Sequence, residues 1–117
     1  MIKIYTDGAC KGNPGVGGWG ALILQDDKNI ELFGGENETT NNRMELMAVI
    51  MALKEMSPSE ELTIYTDSTY VQKGISEWIK NWKLNNWRSS SKKPVKNKDL
   101  WMQLDEASYA RKINWEW

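Results

Sequence analysis

The sequence predicts an α/β fold: a mixed five-stranded sheet, made of a three-stranded antiparallel meander plus two parallel strands, flanked by helices. Three observations predict it. Residues 4–7 and 64–67 have the same sequence, Ile-Tyr-Thr-Asp, which is typical of a short strand. Two strand-like runs are joined by the polar turn 26–29. Apolar residues recur at helical spacing over 42–56. Because 117 residues can enclose one core, we expect a single domain over 1–117.

The first half of the chain supplies the meander. We expect the first strand over 2–7 and a glycine-rich loop over 8–18. Residues 15–20 match the G-x-G-x-x-G spacing of dinucleotide-binding sites, but that motif opens a helix. Here residues 19–25 have the pattern of a strand, so the loop is interpreted as a tight turn or a place where a ligand comes close. The third strand, over 30–36, returns antiparallel to the second.

The second half supplies helices and the parallel strands. A Thr or Asn within 39–42 is expected to cap the first helix, and the methionines at helical spacing are interpreted as core residues rather than as ligands. Gly74 is expected to end a short helix. The other predicted elements are a strand over 61–67, helices over 68–74, 76–84 and 99–109, a basic loop over 85–98 and a last strand over 112–117.

Composition excludes several classes of chemistry. The chain has no histidine, which removes histidine-ligated zinc and every mechanism that uses a Ser-His or Cys-His pair. Its single cysteine, Cys10, cannot form an internal disulfide and fits a reducing cytosol, so we expect a cytoplasmic protein. The apolar runs are too short to span a membrane and the sequence opens with no secretion signal, so we expect no membrane partner.

Asp7 and Asp67 end the two repeated strands. If these strands are parallel neighbours, the carboxylates lie about 4.8 Å apart and repel each other, and a divalent cation with oxygen ligands is the simplest remedy. The alternative is that both are ordinary strand-end caps or turn formers. Glu45, in the first helix, is either favoured there by the helix dipole or is a third carboxylate presented to the same edge of the sheet.

Charge is distributed unevenly along the chain. The net charge is −1, and residues 1–79 contain 6 Lys or Arg and 12 Asp or Glu. Residues 80–98 contain 7 Lys or Arg and no acid, with Trp78, Trp82 and Trp87 beside or among them. A run of charges is usually a solvated face. Basic residues interleaved with aromatic residues are also the usual surface for a nucleic-acid backbone, so a nucleic-acid partner is predicted.

Five stretches of sequence together resemble bacterial ribonuclease HI, a type 1 ribonuclease H, across essentially the whole chain. None of them is specific alone, but all five occur in order and at the spacing of that family. They are residues 5–8 with 12–15, 40–46, 66–68, 93–101 and 113–117. The resemblance implies a ribonuclease H-like sheet and an endonuclease that hydrolyses the RNA strand of RNA–DNA hybrids with two metal ions.

The resemblance also implies roles for individual residues. Asp7, Glu45 and Asp67 match catalytic metal ligands, with a contribution from the main chain of Gly8, and the implied cofactor is Mg²⁺, or Mn²⁺ in its place. The implied contacts to an RNA–DNA hybrid are Cys10, Asn13, Thr40, Asn41, Asn42, Thr69, Trp78, Trp82, Trp87, Lys92, Lys93 and Lys96.

Within this set, different positions match different parts of the hybrid. Asn13 and Asn41 match residues that contact ribose 2′-hydroxyls, the groups that distinguish RNA from DNA. Thr40 and Asn42 match a pocket for a DNA phosphate, and the tryptophans with the basic loop match a protrusion that holds the DNA strand. Thr69 stands where the family usually has Gln, so weaker minor-groove recognition is expected there.

A second departure lies at the C-terminal end. The sequence stops at Trp117, before the family's histidine loop and a last helix with a fourth acidic ligand. Two classes of function follow: an enzyme that cuts hybrids, or a catalytically impaired hybrid-binding form that needs a missing C-terminal segment for cleavage. A third, a metal-binding or assembly domain without nucleic acid, is disfavoured by the basic tryptophan-rich loop. We expect a monomer, with association if an uncovered sheet face is exposed.

Overall fold

A computed structural model describes residues 2–89 and 93–117. The strands of its sheet are β1 (Ile2–Lys11), β2 (Gly15–Leu24), β3 (Asn29–Thr39), β4 (Leu62–Tyr65) and β5 (Ile113–Glu116). Their order across the sheet is β3-β2-β1-β4-β5. Strands β1 to β3 form an antiparallel meander, β4 pairs parallel with β1, and β5 pairs parallel with β4. The predicted fold class is therefore confirmed.

The helices cover one face of the sheet. They are α1 (Asn41–Glu55), α2 (Thr69–Lys73), a π-helical turn (Gly74–Trp78), α3 (Ile79–Leu84) and α4 (Lys98–Ser108). Helix α1 packs against β1, β2 and α4. Because side chains alternate along a strand, Ile4 and Thr6 of β1 are buried whereas Tyr5 and Asp7 are exposed. The core includes Ile4, Ile23, Leu46, Val49, Ile50, Leu53, Leu62, Ile64, Leu100, Trp101 and Leu104.

Strands β1 and β4 are parallel neighbours, as the repeated sequence predicted. Ile4 lies opposite Ile64 and Tyr5 lies opposite Tyr65. The two tyrosine rings are stacked, with their centroids 4.6 Å apart. Strand β4 ends at Tyr65, two residues earlier than predicted, so the pairing of β1 with β4 stops before the aspartate that follows each strand's Tyr-Thr pair.

The prediction of a loop over 8–18 was wrong. Strand β1 continues into this segment and β2 begins within it, so only 12–14 form the turn. The glycines here are strand residues, and Gly17 shows what they allow: a Cβ on it would lie 2.5 Å from Cγ2 of Thr39. A glycine-rich strand has few side chains to alternate between apolar and polar, which is why its sequence resembles that of a loop.

Gly74 does not end a helix, contrary to the prediction. It has right-handed helical angles, φ −62° and ψ −44°, and α2 continues through the π-helical turn into α3. The N–H of Ile79 donates to the carbonyl of Gly74, five residues back, which is the π-helical pattern. Packing requires glycine at this position, because a Cβ would lie 2.5 Å from Cζ2 and Cζ3 of Trp101.

The segment between α3 and α4 is irregular where it is described, in agreement with the predicted basic loop. Arg88 and Pro94 form an isolated antiparallel bridge, and Val95 is buried. Lys92, a predicted substrate contact, lies outside the described residues. Across 2–89 and 93–117, no helix combines the length and the apolar character needed to cross a membrane.

Candidate active site

Three carboxylates meet at the edge of the sheet where the pairing of β1 with β4 has stopped. Asp7 lies on β1, Asp67 follows β4, and Glu45 lies on α1. One oxygen from each carboxylate lies within 4.8 Å of the others. Asp7 and Asp67 are exposed, and Glu45 is half-buried. Of the two interpretations of Glu45, its position agrees with a third carboxylate at this edge.

Glu45 reaches this edge because α1 crosses β1 at Gly8. A Cβ on Gly8 would lie 2.5 Å from the backbone nitrogen of Glu45 and 2.7 Å from the carbonyl oxygen of Met44. Any larger residue at Gly8 would therefore push the helix backbone away. The start of α1 is set by Thr40, whose hydroxyl oxygen accepts from the N–H of Arg43 at 3.2 Å.

The electrostatics of the cluster centre on Glu45. Burial raises the pKa of its carboxyl to about 7, and the nearby Asp7 and Asp67 act in the same direction. The Gly8 amide and the Ser68 hydroxyl oppose this rise in pKa without cancelling it. Its Oε1 is buried and has no hydrogen-bond partner. Buried oxygens are normally paired, so this arrangement fits a divalent cation with oxygen ligands, which would favour the ionised carboxylate.

The predicted contacts beside this cluster are brought together at the start of α1. The side-chain oxygen of Asn13, in the turn 12–14, accepts from the backbone N–H of Asn41 at 3.1 Å. The Cys10 thiol donates to the carbonyl oxygen of Thr39 at 3.2 Å. These bonds fasten the turn and the first residue of α1 to each other, so two residues expected to contact RNA lie in direct contact.

The remaining predicted contacts are surface residues. Asn42 lies exposed at the second residue of α1, and Thr69 lies exposed at the first residue of α2. Lys93 and Lys96 are exposed in the basic loop. Lys92 falls outside the part of the chain that is described, so its place beside them stays a prediction.

The three predicted tryptophans are half-buried and pack around a fourth. We call Trp78, Trp82, Trp87 and Trp101 the tryptophan cluster. Ring centroids are 5.8 Å apart for Trp78 and Trp82, 6.2 Å for Trp82 and Trp87, and 5.5 Å for Trp82 and the fully buried Trp101. The cluster therefore stabilises this part of the fold, and its partly exposed rings are the ones that a nucleic acid could contact.

A cleft of about 490 Å³ lies over the tryptophan cluster. Its lining combines aromatic, amide and basic groups: Tyr70, Trp78, Asn81, Trp82, Asn85, Arg88, Ser89 and Lys96. Aromatic rings beside cations suit a polyanion with planar bases, in line with the sequence-based expectation of a nucleic-acid surface.

Sequence reasoning missed a group that lies between the carboxylates and this cleft. Arg43 of α1 makes a two-pronged ion pair with Asp99, at 3.0 and 2.7 Å, and donates to the side-chain oxygen of Asn97 at 3.1 Å. These residues belong to two of the motifs that carry the family resemblance. Because more than fifty positions separate them in the chain, no local pattern indicated that they meet.

Comparisons with known proteins agree with the fold and the site. The whole chain, residues 1–117, matches the family model described as RNase H. The chain is 60% identical over 117 residues to the ribonuclease H of Nitrosospira multiformis, which covers 100% of this chain and 76% of that protein. It is also 60% identical over 116 residues to the ribonuclease H of Cupriavidus metallidurans, covering 99% of this chain and 80% of that protein.

Solved structures show the same fold. LC9-RNase H1, a type 1 RNase H with the type 2 active-site motif, is 28% identical, with a TM-score of 0.85. The similarity covers 99% of this chain but 61% of that one, so this chain spans less than two thirds of its length. LC11-RNase H1, solved in complex with an RNA/DNA hybrid, shares the fold at 24% identity and a TM-score of 0.72, covering 98% of this chain and 83% of that one.

Proposed function

The chain belongs to the RNase H family, the hydrolases that cut the RNA strand of RNA–DNA hybrids, and we propose that Asp7, Glu45 and Asp67 are the residues that carry out this reaction here. The observation that supports this most directly is the convergence of the three carboxylates within 4.8 Å, with Oε1 of Glu45 buried and unpaired. A structural role would pair that oxygen with a donor. A metal-binding role explains why it has none.

We further propose that two divalent ions bind here, Mg²⁺ or, in its place, Mn²⁺. When bound, such ions supply an activated water for attack on the phosphate and stabilise the leaving oxygen. The protein's part is to hold the ligands. Asp7 and Asp67 offer exposed oxygens from two strands, and α1 holds Glu45 between them. Since the pKa of Glu45 is raised to about 7, its carboxyl must lose a proton to become a ligand at lower pH.

Recognition of RNA is assigned to the turn and the first residue of α1. The side-chain oxygen of Asn13 already accepts from the N–H of Asn41. The group that Asn13 has left for a ribose 2′-hydroxyl is therefore its amide nitrogen, which can donate to the hydroxyl oxygen. Thr40 and Asn42, beside them, are assigned to a phosphate of the DNA strand.

The DNA strand is assigned to the cleft over the tryptophan cluster and to the exposed Lys93 and Lys96. Ionic contacts of this kind make binding depend steeply on salt. We also propose that residues 1–117 act as one domain and as a monomer, in the cytoplasm, where Cys10 stays a free thiol.

The test is cleavage of a labelled RNA–DNA hybrid with Mg²⁺ and, separately, with Mn²⁺. Asp7→Asn should abolish cleavage. Asp26→Asn, which makes the same charge change at an exposed position in the turn between β2 and β3, should leave it intact. Cleavage by Asp7→Asn at the wild-type rate would refute the site. Binding of the hybrid without any cleavage by the wild-type chain would support the alternative of a hybrid-binding form.

A further inference from the structure

A chain of hydrogen bonds with one allowed direction links α1 to the tryptophan cluster. It begins at Arg43, which holds both oxygens of Asp99 and donates through its NH1 to the side-chain oxygen of Asn97. The side-chain nitrogen of Asn97 donates to the hydroxyl of Tyr70 at 3.1 Å. The indole N–H of Trp101 donates to the same hydroxyl at 3.0 Å.

The donors at the two ends fix the orientation of every group between them. An arginine and a tryptophan can only donate, so the oxygen of Asn97 must face Arg43 and its nitrogen must face Tyr70. The hydroxyl of Tyr70 then accepts two bonds, one from Asn97 and one from Trp101. A flipped amide would lose both bonds of Asn97, so the chain has one stable arrangement.

This network joins the parts of the molecule that must engage opposite strands of a hybrid. Arg43 lies two residues before Glu45 on α1. Asn97 precedes α4 and Asp99 lies in its first turn, directly after the basic loop. Asn97 adopts a left-handed conformation, φ 60°, that turns the chain from the loop into the helix. The network therefore sets the position of the basic loop relative to the carboxylates.

Stability alone gives little reason for such an ion pair. The side chains of Arg43 and Asp99 are 26% and 59% exposed, and an exposed pair contributes about 0–1 kcal/mol. Asp99 is also the first acid after a segment of 19 residues, 80–98, that contains none. A negative charge beside a basic surface weakens attraction for a polyanion, so Asp99 is unfavourable for binding unless its geometry serves binding in another way.

We propose that Arg43 and Asp99 are positioning residues for hybrid binding. Their ion pair holds Asn97, the basic loop and the tryptophan cluster at a fixed distance from the carboxylates, so that the DNA strand and the RNA strand of one hybrid are engaged together. The inference rests on the proposed function, because the bound polymer is taken to be an RNA–DNA hybrid.

The decisive variant is Asp99→Asn, because charge and geometry predict opposite results. Removing a negative charge near the basic loop should by electrostatics tighten binding of a polyanion. Loss of the fixed geometry should weaken it, by about three- to thirtyfold in the dissociation constant. The matched control is Asp105→Asn. It makes the same charge change on the same helix and breaks the ion pair with Lys83, at 3.3 Å, which is not joined to the network.

Binding is measured by fluorescence anisotropy of a labelled hybrid in EDTA, and cleavage by steady-state kinetics in Mg²⁺. Weaker binding and a raised KM for Asp99→Asn, with kcat unchanged and with Asp105→Asn binding at least as tightly as wild type, is the expected result. Arg43→Lys, which keeps the charge but cannot form the two-pronged pair, should match Asp99→Asn. Thermal melts identify any variant that fails to fold, and Arg43→Lys then carries the comparison.

Tighter or unchanged binding by a folded Asp99→Asn would overturn the proposal, and so would equal weakening by Asp105→Asn. Failure of the proposed function looks different: the wild-type chain itself would neither bind nor cut the hybrid, whereas failure of the positioning role leaves the wild type fully active.

Discussion

Replacing Gly8 with alanine should damage the protein in two measurable ways. The added Cβ would lie 2.5 Å from the backbone nitrogen of Glu45, where an ordinary contact needs about 3.5 Å. Backbone cannot rotate out of the way as a side chain can. Helix α1 must therefore retreat by about 1 Å, and Glu45 must retreat with it.

The magnitudes follow from this displacement. Forcing a methyl group into packed structure usually lowers the free energy of unfolding by about 1–3 kcal/mol, which is a loss of roughly 4–12 °C in Tm for a chain of this size. A catalytic group displaced by about 1 Å loses about a hundredfold in rate. We expect Gly8→Ala to lower both Tm and the kcat for hybrid cleavage, the latter also at temperatures where the variant is fully folded.

Gly20→Ala is the matched control. It lies on β2, in the neighbouring strand, and the nearest atom to its added Cβ is the carbonyl oxygen of Leu32 at 3.8 Å, an ordinary contact. Glycine is about 0.5–1 kcal/mol less stable than alanine inside a strand, so this variant should melt at or above the wild-type temperature. The argument is refuted if Gly8→Ala has the Tm of Gly20→Ala. A lower Tm with unchanged kcat would show that Gly8 serves packing alone.

Three further predictions concern single side chains. Tyr70→Phe should lower the free energy of unfolding by about 1–3 kcal/mol in denaturant titrations, because the buried indole N–H of Trp101 loses its acceptor. Arg111→Met should cost a similar amount, because its guanidinium donates to backbone carbonyls at the ends of both α1 and α4, at 2.6 to 3.3 Å. In EDTA, Tm should fall as pH rises from about 4.5 to about 7, because unfolded Glu45 loses its proton first while the folded form keeps it; Glu45→Gln should abolish this fall.

Each of these predictions has a control of the same chemistry at a position without the contact. Tyr109→Phe removes a hydroxyl from an exposed ring, and Lys112→Met removes a cation from an exposed side chain next to Arg111. Glu55→Gln neutralises an exposed acid at the other end of α1. A pair of variants with equal stability would contradict the assigned bonds, and a Glu45→Gln protein with the wild-type pH dependence would contradict the raised pKa.

The sequence was informative about the sheet edge because the signal there is local. The repeated Ile-Tyr-Thr-Asp runs carry their own strand pattern and their own acid, so parallel pairing of the two runs was enough to predict that Asp7 and Asp67 approach each other. The place of Glu45 needed more than pattern. It depends on how closely a helix crosses a strand, which is decided by the absence of a side chain at Gly8.

The failures have the same physical origin. Glycine has no side chain from which a pattern can be recognised, so a glycine-rich hairpin over 8–18 resembled a loop and Gly74 resembled a helix end. In both places the missing Cβ makes room for another part of the chain, a partner that lies 22 residues from Gly17 and 27 from Gly74. The contacts of Arg43 were equally hidden, since an ion pair across 56 residues leaves no periodicity.

The π-helical turn over 74–78 has a consequence for how this protein can vary. A π turn accommodates one residue more than an α turn, and each residue rotates an α-helix by about 100°. Deleting one residue here would restore an ordinary helix and rotate α3 relative to α2 by that angle. Tyr70 and Trp82 would then no longer face Trp101 together. We therefore expect this surface helix to accept many substitutions yet no change in length.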